Sequence, residues 1–437
     1  INIVIFIPCI LSFLSPPKLR ELREEGRPGL TERLLTKIAI LTTNRRSAWL
    51  ILGGFCLLII IGGIGTAKMK IGGRAPGAGA FYENSHYSRQ QKNISKYFPG
   101  AITYYVVVEG KEKDSIKSHY VLEKIGKFQE FLEKNQSVGN TLSLVDYLQK
   151  MSVVLHDGDE KFYHLPRIGD PALGYCLNEK YLRKRVAEYL DLYTAGEPGQ
   201  FDFMIDYDYQ RTNIQVFLKD MEPGTVRTVL KQSKDWREKN WIGTKAGEVA
   251  DLRIAGGLAG MVGAINEELG KGLLRNITEI SIIVFICCLI FLRSFVGATI
   301  VILSLFTRVI ITYGIMGFSN MPLTMFTMPI ASMGIGIGVD YVIYIIKRIE
   351  EELAKTNDQD LQYATIKALT STGKAVIYTV LAVVLGVLIW VVSPMRFQME
   401  LGLMIGLIIF LNGVGAILLI SPILFILKPK FIYRGCR

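Results

Sequence analysis

With 437 residues, half of them apolar, and a mean hydropathy of +0.31, the chain is too hydrophobic for an ordinary soluble protein. A formal net charge of +11 could point to nucleic acid, but much of the excess lies beside apolar runs, where membrane orientation explains it. No nucleic-acid partner is expected. The six cysteines make no disulfide framework: Cys56, Cys287 and Cys288 lie in apolar runs, Cys9 and Cys436 near the ends, and Cys176 alone in the long hydrophilic stretch.

Residues 1–15 (INIVIFIPCILSFLS) read as the end of a transmembrane helix, without the charged n-region and cleavage site of a signal peptide. On that reading the chain is the back part of a longer protein. Residues 16–47 form a basic linker, placed in the cytoplasm by the positive-inside rule, and the Leu/Ile spacing over 30–41 permits a short helix lying at the interface. Residues 48–66 are the first complete span, with Trp49 at headgroup level.

Residues 67–276 are hydrophilic and long enough for a folded domain. After a glycine-rich start, the pattern predicts a strand over 101–109, an amphipathic helix over 114–134, and helical patches over 142–154 and 178–192. A hairpin of 201–209 with 212–220 follows, then a helix over 223–236 with Pro223 in its first turn and a strand over 251–255. Tyr104, Phe203 and Phe217 read as sheet core. The order predicts a split βαβ, ferredoxin-like arrangement with helical insertions.

Five further spans are expected over 277–292, 295–318, 322–346, 374–392 and 399–427, so that 277–427 forms a five-helix bundle. Arg293 marks a tight turn, 350–373 a charged loop, and 428–437 a basic tail with Lys428, Lys430, Arg434 and Arg437. The Lys/Arg-rich short connections all fall on one side, the cytoplasm. The fold class is thus a polytopic α-helical membrane protein, one partial plus six transmembrane helices, with an αβ domain on the opposite side, in a bacterium the periplasm.

The span over 322–346 carries the polar pair Asp340 and Tyr341, just after Gly334, Gly336 and Gly338. A carboxylate in hydrocarbon costs on the order of 2.5 kcal/mol or more, so it must face a bundle interior or a wet cavity. At 100° per residue Gly336 shares a face with Asp340, while Gly334 and Gly338 align with Tyr341, and the glycines let neighbouring helices approach. Lys347 and Arg348 are expected to end the helix at the membrane surface. Arg308, inside the preceding span, is the candidate countercharge, and Tyr344 lies one turn beyond Asp340. Thr379 and Asn412 are polar groups in later spans that would either join a proton relay or simply bond helices together. The plain alternatives are a static ion pair at Asp340 and a snorkelling Arg308.

Enzyme chemistry finds no support. His86, His119, His156 and His164 make no metal-ligand pair, and no phosphate-binding loop occurs, so neither metal nor cofactor is expected. GIGIGVD has the look of a dinucleotide-binding glycine motif, but no strand precedes it.

One span, a large external αβ domain and then five spans is a layout that resembles half of a resistance-nodulation-division (RND) exporter of the MmpL-type, hopanoid-exporter-like branch. The residues that carry the likeness are the run from Gly334 to Asp340-Tyr341, the following Arg348-Ile-Glu350-Glu351, the turn Phe291-Leu-Arg293-Ser294, and Tyr97-Phe98-Pro99-Gly100 leading into Val106–Gly110. The resemblance implies proton-driven secondary active export of a hydrophobic or amphipathic substrate, a lipid among the candidates, with Asp340 and Tyr341 relaying protons across the bacterial inner membrane. It also implies membrane lipids and the N-terminal half of the same exporter as partners, and leaves a homo-oligomer open. The basic residues that drug-efflux relatives carry in later spans have no match here. Two alternatives use the same spans differently: a sterol-sensing, Patched-like lipid receptor, and a SecDF-like protein-translocation motor.

Overall fold

The computed structural model describes residues 12–13, 29–72, 80–100, 102–166, 178–196, 199, 202–220, 222–355 and 360–436. Most of the expected N-terminal partial span, the first part of the basic linker, the glycine-rich 73–79 and Cys176 lie outside these residues. The described residues collect into two hydrophobic cores, one in a helical bundle and one in an αβ unit.

The amphipathic α1 (Leu30–Thr42) buries Leu35 and Ala39 and leaves Leu30, Leu34 and Leu41 exposed. Its Glu32 carboxylate accepts from Lys374 Nζ at 2.9 Å, which fixes it to the bundle. The next helix, α2 (Arg45–Lys68), is capped by the Asn44 side chain, which accepts from the Arg46 N–H. The short α3 (His86–Tyr97) buries no residue.

The αβ unit then runs through β1 (Ile102–Gly110), α4 (His119–Glu133), β2 (Val138–Leu142), α5 (Leu144–Leu155), α6 (Glu179–Gly196), β3 (Arg211–Leu218), α7 (Pro223–Asn240), α8 (Lys245–Val249) and β4 (Ala250–Gly256). The sheet order is β2-β3-β1-β4, and each neighbouring pair is antiparallel. Burial alternates strictly along β1 and β3, as expected for a sheet covered on one face. Tyr104, Val106, Ile214 and Val216 meet Ile125, Phe128 and Trp241 in that core.

Two expectations for this unit are corrected. Residues 202–209 form turns with a single bridge, Ile205 to Thr212, because β2 takes the β3 edge from Gln215 to Leu218 and leaves 204–206 only the start of that strand. The expected hairpin of 201–209 with 212–220 is therefore absent, and β2, unmarked in the sequence, supplies the missing strand. Of the three aromatics read as sheet core, only Tyr104 is buried; Phe217 points to the opposite face and Phe203 is half exposed.

Among the described residues, six helices or helical runs are long and apolar enough to cross a membrane. Besides α2 they are α9 (Gly257–Leu292), α10 (Phe295–Phe318), α11 (Pro329–Lys355), the run 361–392 and the run 396–427. The fifth is built from α12 (Leu361–Ala368), a π-helical turn at Leu369–Gly373, α13 (Lys374–Leu388) and a closing 3₁₀ turn. The sixth is built from α14 (Arg396–Leu418) and α15 (Ile420–Leu427). Arg293, in the left-handed conformation, and the capping Ser294 make the tight turn between α9 and α10.

Here too the structure departs from the sequence reading. Helix α9 does not begin at 277: it is continuous for 36 residues from the end of β4, about 54 Å, and so belongs to the αβ unit and the bundle at once. Helix α11 begins at Pro329, not at 322, because Thr324 and Thr327 bond each other's backbone N–H in a turn. Nor do Lys347 and Arg348 stop it. Pairs from Lys347 to Glu350 and from Arg348 to Glu351 and Glu352 carry the helix on to Lys355. The stretch expected as a charged loop is consequently mostly helical.

Candidate functional site

Helix α11 has two unlike faces. On one, Gly334 and Gly338 admit α14: a Cβ at 334 would strike the Ile408 side chain, and one at 338 would lie 2.5 Å from Asn412 Cγ. Asn412 Nδ2 donates to the Gly334 carbonyl at 2.7 Å, a buried bond between the two helices. Tyr341 belongs to this face and is 6% exposed. The other face carries Met333, Gly336, Asp340 and Tyr344, spaced three and four residues apart, and all four are exposed on the bundle. Gly336 has open space where a side chain would project. It is therefore not a packing glycine in this bundle, contrary to the expectation for all three.

The Asp340 carboxylate makes no hydrogen bond and no ion pair among the described residues. Helix α11 packs along α9, the long helix from the αβ unit. Tyr341 follows on the adjoining, buried side. A lone carboxylate on an apolar helix is chemically suited to bind and release a proton.

Arg308 sits elsewhere. It is 1% exposed in the core, with its guanidinium over Gly415 of α14, and its one contact is a long donation from Nη2 to Ser304 Oγ at 3.4 Å. Nε and Nη1 have no partner, and no carboxylate approaches the group among the described residues. The candidate pairing with Asp340 is thus not formed: Arg308 is buried against Gly415, while Asp340 lies on the exposed face of α11. A buried cation of this kind had one legible signal, an arginine inside an apolar run; its surroundings did not.

The remaining candidates separate in the same way. Thr379 is exposed and its hydroxyl donates to the Ala375 carbonyl of its own helix, 3.0 Å away. Tyr344 shares the open face with Asp340, at 55% exposure. Asn412 is spent on the helix contact just described. Of the residues singled out from sequence, the structure therefore gathers Asp340, Tyr344 and Gly336 on one face and Gly334, Gly338, Tyr341 and Asn412 on the other.

Sequence reasoning missed a second feature. The outer ends of three spans are strapped together by backbone bonds. Gly72 N–H donates to Leu323 and Leu323 N–H to Lys70, both at 2.8 Å, while Phe81 bridges Met395. Above this strap a cavity of about 630 Å³ opens between the bundle and the αβ unit. No periodicity could have signalled it, because its walls come from six separate segments.

Residues 239–432 match the family model of the MMPL family. A membrane protein of Methanocaldococcus jannaschii is 31% identical over 167 residues, which are 38% of this chain. The match spans 42% of that relative's own length. The stretch 239–432 runs from the end of α7 through β4 and the bundle, and holds Arg308, Asp340, Tyr341 and Asn412. Over 239–432 the chain is thus similar to the MMPL family, and its candidate spans among the described residues mark a membrane protein.

Proposed function

We propose that the protein is a proton-driven secondary active exporter of a hydrophobic or amphipathic substrate, with Asp340 and Tyr341 as its transmembrane proton relay. The observation that carries this reading is the lone carboxylate of Asp340, unpaired on an apolar helix that packs along α9. Loading a proton removes a charge on that helix; releasing it restores the charge. Because α9 continues unbroken from β4, a shift of its membrane half moves the αβ unit as well. That is a mechanical route from proton to substrate. On this reading the αβ unit, with its ferredoxin-like strand order, stands in the periplasm of a bacterial inner membrane, opposite the basic connections. The open face bearing Gly336 and Asp340 would then be closed by the N-terminal half of the same exporter or by a second copy.

The deciding experiment is transport by Asp340→Asn in the full-length protein, at matched membrane levels, with and without an imposed proton gradient. Asn keeps the size and cannot titrate. Export is expected to fall to background while substrate binding persists. Wild-type export that still follows the gradient would sink the relay. Binding that is indifferent to the gradient in both proteins would favour the sterol-sensing receptor, and gradient-driven movement of a polypeptide the SecDF-like motor.

A further inference from the structure

The cavity above the strap has two chemically distinct ends. Its membrane end carries apolar side chains beside Lys70, which has no carboxylate partner among the described residues, and beside the paired Arg396 and Glu400. Ile71 lies just past α2, Phe326 just before α11 and Phe397 in the first turn of α14, with the Phe326 and Phe397 ring centroids 4.6 Å apart and the rings tilted by 31°. All three stand at the ends of membrane-spanning helices, so this end opens at the depth where the acyl chains of a leaflet begin. A smaller cavity of about 360 Å³ adjoins it and shares Ile71, Arg227 and Asn266 as walls. There Arg227 and Lys231 stand one turn apart on α7, both exposed.

The charges of the two chambers are not equivalent. Arg396 is spent on Glu400, at 2.7 Å, and on Glu83, at 3.8 Å. Lys234 is paired with Glu267 at 3.8 Å. Glu222 also lines the larger cavity, at the foot of α7. Arg227 and Lys231 have no carboxylate partner among the described residues. The smaller chamber therefore offers two uncommitted cations directly above an apolar slot, and the combined volume falls in the range of sites that enclose small molecules.

We infer that this pair of chambers binds an anionic amphiphile, with an acyl chain among Ile71, Phe326 and Phe397 and a phosphate or carboxylate headgroup between Arg227 and Lys231. The inference rests on the export reading only for the ligand's fate; binding itself needs no gradient. It names the class of molecule that the αβ unit and the bundle hold jointly, at the point where both contact α9.

The test uses the full chain in neutral detergent, with fluorescent phosphatidylglycerol and phosphatidylcholine as probes and glycerol phosphate as the chainless control. Phosphatidylglycerol is expected to bind more tightly than phosphatidylcholine, and to weaken with added salt. The double variant Arg227→Gln/Lys231→Gln should lose about tenfold in affinity for phosphatidylglycerol alone. Ile71→Trp, which fills the slot, should weaken both lipids. Unchanged phosphatidylglycerol binding by the double variant would overturn the site, as would glycerol phosphate binding as tightly as the lipid. Asp340→Asn should bind like wild type, so a failed relay and a failed binding site give different results.

Discussion

The two faces of α11 lie about half a turn apart on the same helix, yet obey different rules. On the Gly334–Gly338 face every position is determined by α14, down to the bond from Asn412 to the Gly334 carbonyl. On the Gly336–Asp340 face nothing in the bundle fills the space. The comparison teaches that small residues in a membrane helix do two jobs: some let a neighbour in, and others leave room beside a polar group. Only contacts distinguish them.

Substitutions sharpen this contrast. The largest effect is expected from Gly338→Leu, which drives a side chain into Asn412 and should cost about 3 kcal/mol by overpacking. Loss of the monodisperse peak in detergent would report it, and a normal peak would mean that the α11–α14 contact is looser than described. Arg308→Met comes next, with the opposite sign. An unpaired buried cation replaced by an apolar side chain of similar volume should leave the bundle unchanged or up to about 2 kcal/mol more stable. A lowered midpoint in thermal unfolding would instead reveal a counter-ion for Arg308.

Gly336→Leu should shift the stability of this chain by no more than about 0.5 kcal/mol, since its side chain meets open space. In the full-length protein the same change should abolish export if that face is covered by the other half. Equal export from both versions would leave the face lipid-exposed. The smallest effect concerns α1. The hydrogen bond from Lys374, and then its charge, hold the Glu32 carboxyl below its ordinary value of 4.5. A depressed acid stabilises the docked helix above that value and loses the contribution as pH falls through the lower, folded value. Hydrogen exchange in α1 should therefore quicken below about pH 4.5, and Glu32→Gln should show fast exchange with no such pH step.

Much of the fold was legible from spacing alone. The helix over 295–318 coincides with its expected bounds, and α5, α6, α7, β1 and β4 lie within a few residues of theirs. The failures share a physical cause. The false strand over 201–209 has the right alternation, but a strand exists only where a partner edge is free, and β2 leaves it only the start of β3. The early start for α11 counted apolar residues, which mark membrane depth but not helicity, and two threonine side chains diverted the backbone. Arg308 and Asp340 looked like a pair because depth along a helix can be counted from sequence, whereas facing direction across a bundle cannot.

The sequence by itself determined the number and order of the complete spans, the presence of an αβ unit between the first and second of them, and the rarity of a carboxylate in an apolar helix. Those follow from hydrophobic length and from periodicity, which are local properties of the chain. Only the tertiary structure decided that α9 is one rod joining unit and bundle, that Arg308 is buried without a carboxylate, and which α11 glycines carry a neighbour. It also built the cavity at the junction. These depend on which surfaces meet, and segments far apart in sequence share a wall only after the helices have packed.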